Sequence, residues 1–240
     1  MNKDLLSYLK NAQESKVHLL AILLDPDKLK IEEIPKTMGL INRSKAHVLL
    51  VGGSLLFTNV LDTFIQEIRK HTKLPVILFP GNALQISNHA DAILFLSLLS
   101  GRNPEFLIGN QVIAAPLLKQ TDLEILATSY LLIESGRETT ASYISNTKPI
   151  PRHKPEIAMV TALAGEMMGH QLIYLDGGSG AQHPIPEVLI KQVRENTQNP
   201  IIVGGGIHTS KQMQAAYQAG ATMVVIGTAF ENNKNLLDIL

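Results

Sequence analysis

The sequence predicts a single (β/α)8 TIM barrel over residues 1–240, and three observations carry the prediction. Eight short runs rich in Val, Ile and Leu recur along the chain, helical stretches separate most of them, and most runs end in Gly, Asp, Pro or Ser. Near-continuous apolar runs of this kind are what strands buried on both faces of a parallel sheet require.

The predicted strands cover 18–24, 46–51, 75–79, 92–97, 124–133, 171–175, 200–203 and 222–226. A short amphipathic helix opens the chain. Apolar residues at helical spacing then place helices at 31–43, 60–72, 104–111, 156–168, 186–195 and 210–219, with a short tail helix at 234–240. Two connections break the alternation. Only 80–91 separates the third and fourth strands, too little for a return helix with its two turns, so that helix is expected to be missing or replaced by a short loop. A cleft is expected in the gap, flanked by Leu84, Ile86, Leu98 and Leu99; plain core packing is the competing reading for each. The second, 134–155, is polar, with Thr139, Thr140, Ser142, Ser145 and Asn146 ahead of Lys148, Arg152 and Lys154, and reads as an irregular lid-type loop.

With 45% hydrophobic and 18% charged residues, 240 residues suffice for one large core. The formal net charge is zero, which argues against nucleic acid or an anionic membrane as main partner. There is no cysteine, which excludes disulfides, thiolate nucleophiles and cysteine-ligated metals together. Residues 1–16 are polar and no apolar run approaches the roughly 20 residues of a membrane span, so a cytoplasmic protein is the expectation.

In such barrels the loops after the strands carry the chemistry. Gly204, Gly205 and Gly206 follow the seventh run, and Gly227 and Thr228 the eighth. Glycines let backbone N–H groups approach an anion, and this pair of loops is where these barrels bind phosphate. The sixth run leads into Tyr174, Leu175, Asp176, Gly177, Gly178, Ser179 and Gly180. Asp176 is placed either to orient or deprotonate a substrate hydroxyl or only to cap the turn. Asp25 after the first run and Ser54 after the second supply hard oxygen donors suited to magnesium, although Asp25-Pro26-Asp27 also reads as a plain turn in which Asp27 caps the next helix. His18, His47 and His170 read as flanking residues, while His183 and His208 lie near the active face. No Gly-x-Ser-x-Gly elbow is present.

These stations, taken in order with Ser97–Pro104 and Tyr174–Ala181, resemble the geranylgeranylglyceryl phosphate synthase family, in the branch that includes archaeal and some bacterial enzymes, over essentially the whole chain. The resemblance implies a magnesium-dependent prenyltransferase that joins a long prenyl group, geranylgeranyl foremost, from its diphosphate to the 3-hydroxyl of sn-glycerol 1-phosphate in ether phospholipid synthesis. It implies Asp25 and Ser54 as magnesium ligands. Tyr174 to Gly180, Gly205, Gly206, Gly227 and Thr228 are implied as glycerol phosphate ligands, with Asp176 and Tyr174 catalytic. The family usually carries Glu where this chain has Asp176, and Ala where it has Gly177. A homo-oligomer, dimer or higher, is implied too, and transient membrane contact follows from an amphiphilic donor and product. Loop position offers Arg102, Lys148, Arg152 and Lys154 as cations for the diphosphate. Competing readings are a phosphosugar isomerase or aldolase, a flavin-binding barrel, and a catalytically silent phosphoglycerol-binding barrel.

Overall fold

The computed structural model describes residues 4–58 and 60–233. Eight parallel strands, β1 (Leu19–Leu24), β2 (Val48–Val51), β3 (Val76–Leu78), β4 (Ala92–Leu98), β5 (Glu124–Leu132), β6 (Leu172–Asp176), β7 (Ile201–Gly204) and β8 (Met223–Ile226), pair in sequence order and close, β8 onto β1. Each predicted run forms a strand, with ends shifted by one or two residues where turn residues take over.

The pleat sorts side chains into two cores. Leu172 and Tyr174 of β6 point into the barrel with Leu19, Ala21, Val48, Leu50 and Val225, whereas Ile173 and Leu175 point outward against the helices. This two-residue alternation puts Asp176, next after Tyr174 on the inner side, at the rim. The opposite mouth is closed by α1 (Leu5–Glu14), whose Leu5, Leu9 and Ala12 join the interior core. Asp4 caps α1, and the Glu124 carboxylate at the start of β5 accepts hydrogen bonds from the amides of Leu5 (2.7 Å) and Leu6 (2.9 Å). An anion thus satisfies donors that a helix start leaves unpaired.

Around the barrel lie α2 (Ile34–Arg43), led by a 3-10 turn, and α3 (Leu61–His71). No helix occupies 79–91, as expected; buried Gln85 instead accepts from the Gly81 amide (2.9 Å) and donates to the Gly53 carbonyl (3.2 Å), tying the β3 loop to the β2 loop. The helix expected at 104–111 starts as a π-turn over Glu105–Gly109 and continues as α4 (Asn110–Leu118). Pro116 lies inside α4, and a proline normally signals a helix end, which is why the sequence pattern stopped short.

The loop expected to be irregular is ordered. Ile133 bridges to Ile150, and α5 (Thr140–Ser145) starts from a capping box in which Thr139 and Ser142 satisfy each other's backbone amides, Ser standing where Glu or Gln is usual. Then come α6 (Pro155–Met167), α7 (Glu187–Asn196), α8 (Ser210–Gln218) and a short α9 (Thr228–Asn232) that the sequence pattern did not predict. The expected tail helix at 234–240 lies outside the described residues.

Replacing Glu124 by Ala strips both acceptors from the α1 start. Stability should fall by about 1–3 kcal/mol, measured by urea unfolding, with ligand binding at the far mouth unchanged; equal midpoints would show that α1 docks by apolar contact alone.

Candidate active site

A cavity of about 620 Å³ opens at the C-terminal ends of the strands. Its wall includes Asp25, Ser54, Tyr174, Asp176, Gly178, Ser179, Gly180, Gly205, Gly206, Gly227 and Thr228, so most of the residues singled out in the sequence converge on one space. Leu175 and Gly177 do not line it. The pleat turns Leu175 outward into the core beneath the helices, and the Gly177 amide donates to the Gly204 carbonyl.

One side is polar and built of backbone. Gly205 takes φ +81°, and a Cβ there would lie 2.9 Å from the Gly177 Cα and amide nitrogen, so the β6 and β7 loops meet main chain to main chain. The Ser179 and Thr228 hydroxyls are 3.4 Å apart, linking the β6 loop to the start of α9. Gly205, Gly206, Gly227 and Thr228 line this polar side together, at the start of the short helix α9, the position where barrels of this architecture frequently carry a phosphate site. Arg137, which the sequence pattern did not single out, brings its guanidinium against Gly180, 3.4 Å from the place of a Cβ there. Of the two histidines near this face, His208 lines the cavity and His183 does not.

Asp176 sits at the inner edge of the cradle, 7% exposed. One carboxylate oxygen accepts from the Tyr130 hydroxyl at 2.6 Å, the other from the Gly178 amide at 2.8 Å. Burial raises its carboxyl above the ordinary aspartate range, and these two hydrogen bonds pull it part of the way back. Phe79, Tyr130 and Tyr174 form an aromatic wall beside it: Tyr174 stacks on Phe79 at 5.0 Å and meets Tyr130 edge-on at 5.7 Å. Burial, then the Asp176 charge, push both tyrosine hydroxyls well above their ordinary pKa, and Tyr130 donates its hydroxyl to Asp176. A Cβ on Gly204 would come within 2.5 Å of the Tyr174 hydroxyl, so glycine is required there.

The far side is apolar, walled by Ile86, Phe95, Leu96, Leu98, Phe106, Ala114 and Leu118. Of the four residues expected to flank a cleft, Ile86 and Leu98 line it; Leu84 is 75% exposed and Leu99 is buried, so α4 and its π-turn supply more of the wall than the short β3–β4 connection does.

At the third corner, the Asp25 carboxylate oxygens each lie 3.2 Å from the place a Gly53 Cβ would take, which sets Asp25 beside the β2 loop that carries Ser54. Asp27 caps no helix. It accepts from the Phe57 amide (2.7 Å) and the Thr58 hydroxyl (2.5 Å), fastening the β2 loop to the β1 loop. No group of three or more His, Cys, Asp or Glu able to hold a metal occurs among the described residues. One carboxylate and one hydroxyl fit only a hard cation that keeps water or brings its own phosphate oxygens, as magnesium does. The four cations suggested by loop position miss the cavity. Arg102 donates to the Leu99 and Gly101 carbonyls, Arg152 to the Pro184 carbonyl, Lys154 pairs with Glu156, and Lys148 lines a separate recess. His18, His47 and His170 lie away from the cavity, in contacts with Tyr217, the Leu20 amide and Ser129.

Fold and site together define a (β/α)8 barrel with a glycine-lined polar cradle beside an apolar cavity at the C-terminal ends of its strands. The chain belongs to the PcrB family, whose model matches residues 11–240. It is 49% identical over 238 residues to a geranylgeranylglyceryl phosphate synthase of Flavobacterium johnsoniae, covering 99% of this chain and 96% of that protein. The Thermococcus kodakarensis protein of the same name is 43% identical over 220 residues, 91% of this chain and 86% of its own. Among solved structures, (S)-3-O-geranylgeranylglyceryl phosphate synthase from Thermoplasma acidophilum, in complex with substrate sn-glycerol-1-phosphate, superposes with TM-score 0.93 at 32% identity, covering 98% of this chain and 95% of that one.

Gly205→Ala should weaken inorganic phosphate binding by about tenfold, because a side chain is strained at that φ and collides with the β6 loop. The phosphate-dependent rise in thermal midpoint would shrink accordingly; an undiminished rise would place the anion elsewhere.

Proposed function

We propose that this chain transfers a geranylgeranyl group from its diphosphate to the 3-hydroxyl of sn-glycerol 1-phosphate, forming an ether and releasing diphosphate. The observation that carries the reading is a buried carboxylate, Asp176, at the junction of a backbone phosphate cradle and an apolar cavity. The names of the relatives supply the substrates.

In this reading the glycerol phosphate lies with its phosphate on the loops of Gly205, Gly206, Gly227 and Thr228 and its 3-hydroxyl toward Asp176. The C–O bond between the allylic carbon and the diphosphate breaks with its electron pair on the diphosphate. The glycerol 3-oxygen bonds to that carbon, and its proton passes to the Asp176 carboxylate. Asp176 is shorter than the glutamate usual in the family, and Tyr130 and Gly178 hold it at a fixed place. Asp25 and Ser54 would hold magnesium, which supplies positive charge for the departing diphosphate. The prenyl chain fills the apolar wall around Phe95, Phe106 and Leu118, at about 0.8 kcal/mol per CH2 buried. Schiff-base aldolase chemistry is disfavoured by Lys28, the single lysine lining the cavity among the described residues: its ammonium is held charged by Glu231 and Asp25, the reverse of a Schiff-base lysine.

We also propose a homo-oligomer assembled through the outer faces of α4 and α6, where Val112 (64% exposed), Ile113, Val160 and Met167 stand apolar and in solvent. Val112→Glu should reduce the mass measured by light scattering; unchanged mass would move the interface elsewhere.

The reaction is tested by incubating the protein with magnesium, labelled sn-glycerol 1-phosphate and prenyl diphosphates of several lengths. Organic-phase label with a preferred donor, lost in Asp25→Ala and Asp176→Asn, is expected; no label with any donor, despite glycerol phosphate binding, would refute transfer. The pH profile adds a sign. Asp176 must be ionised to accept a proton, and Tyr130 stabilises the ionised form, so Tyr130→Phe should move the acid limb of kcat/KM to higher pH. A limb that stays in place would mean that Asp176 is not the base.

A further inference from the structure

The loop cations expected from the sequence turn away from the cavity, and Arg137 stands against Gly180 on the phosphate side, so the charge facing a second anion has to come from elsewhere. Among the described residues that line the cavity, Lys28 is the one lysine and no arginine accompanies it. It follows Asp25-Pro26-Asp27 in the β1 loop, and its side chain is 48% exposed, open to a ligand. Its ammonium lies 3.0 Å from a Glu231 carboxylate oxygen and 3.5 Å from one of Asp25. Glu231 belongs to α9, the helix that starts at Thr228 in the phosphate cradle. Lys28 therefore spans from the proposed metal corner to the phosphate side, with nothing but flexible side chain committing it to either carboxylate.

One ammonium shared by two carboxylates is a resting arrangement. Asp25 and Ser54 would hold a divalent cation, which would neutralise the Asp25 carboxylate in place of the ammonium. Lys28, which lines the same cavity, would then be free to meet the anionic oxygens of a diphosphate. A compact ammonium on a flexible stem is well suited to meet such oxygens as a point charge.

We propose that Lys28 binds the diphosphate of the prenyl donor, held in readiness on Glu231 until the donor arrives; this rests on the prenyl-transfer reading above. The role is separate from glycerol phosphate binding, which uses the loops of β6, β7 and β8.

Calorimetric titration of the full chain with inorganic pyrophosphate and magnesium tests it, alongside titration with sn-glycerol 1-phosphate and steady-state kinetics. Lys28→Met should weaken pyrophosphate binding and raise the donor KM by about tenfold or more, with glycerol phosphate affinity changed less than about twofold. Lys28→Arg should recover most of the loss, and Glu231→Gln, which removes the competing acceptor, should bind pyrophosphate as tightly as the parent or tighter. Parental pyrophosphate affinity in Lys28→Met, or an equal loss of both ligands, would overturn the assignment. Wild-type protein that binds glycerol phosphate but neither binds pyrophosphate nor transfers label would overturn the underlying reaction instead.

Discussion

The ladder between β8 and β1 is the constraint on which the rest depends. Leu19 pairs with Met223 and Ile22 with Ile226, residues some two hundred positions apart, and this closes the sheet and fixes the relative height of all eight strand ends. Closure brings the β1 loop, with Asp25 and Lys28, beside α9, with Thr228 and Glu231, although the two lie at opposite ends of the sequence. It also leaves one mouth to be sealed, and α1 seals it under the hold of Glu124. The other mouth stays open, and every group argued to carry chemistry stands there.

Within that mouth two kinds of surface are kept apart. Main chain from the β6, β7 and β8 loops makes a polar cradle, which demands glycine where loops touch backbone to backbone. Side chains from β4, the π-turn and α4 make an apolar wall. The aromatic trio of Phe79, Tyr130 and Tyr174 stands beside Asp176. Burying that carboxylate costs desolvation energy, partly offset by the Tyr130 hydroxyl and the Gly178 amide. In the proposed reaction, the residual rise in its proton affinity would suit it to accept a hydroxyl proton.

Much of this was legible in the chain itself. Strands were readable because fully buried parallel strands must be near-continuous apolar runs, and the glycine loop after β7 because main chain meets main chain there at positive φ. The short β3–β4 connection could be counted. Other features depended on pairings a single sequence does not reveal. Tyr130 reaches Asp176 only because β5 and β6 pair Tyr130 with Tyr174 and Leu132 with Asp176. Leu175, flanked by two residues that face the cavity, is turned away by the pleat, and strict alternation along β6 was the available clue. Arg152 and Lys154 stand off the cavity because the segment 134–155 is ordered by α5 and the Ile133–Ile150 bridge, with Arg152 on the Pro184 carbonyl and Lys154 beside Glu156. Lys28 was passed over because its partner Glu231 is about two hundred residues away in sequence.

The most direct test of the account is a crystal structure of this protein with sn-glycerol 1-phosphate bound. The phosphate is expected on the loops of Gly205, Gly206, Gly227 and Thr228, with the 3-hydroxyl within about 3.2 Å of an Asp176 carboxylate oxygen and facing the apolar wall. A ligand whose 3-hydroxyl points away from Asp176, or whose phosphate sits at the Asp25 corner, would contradict it.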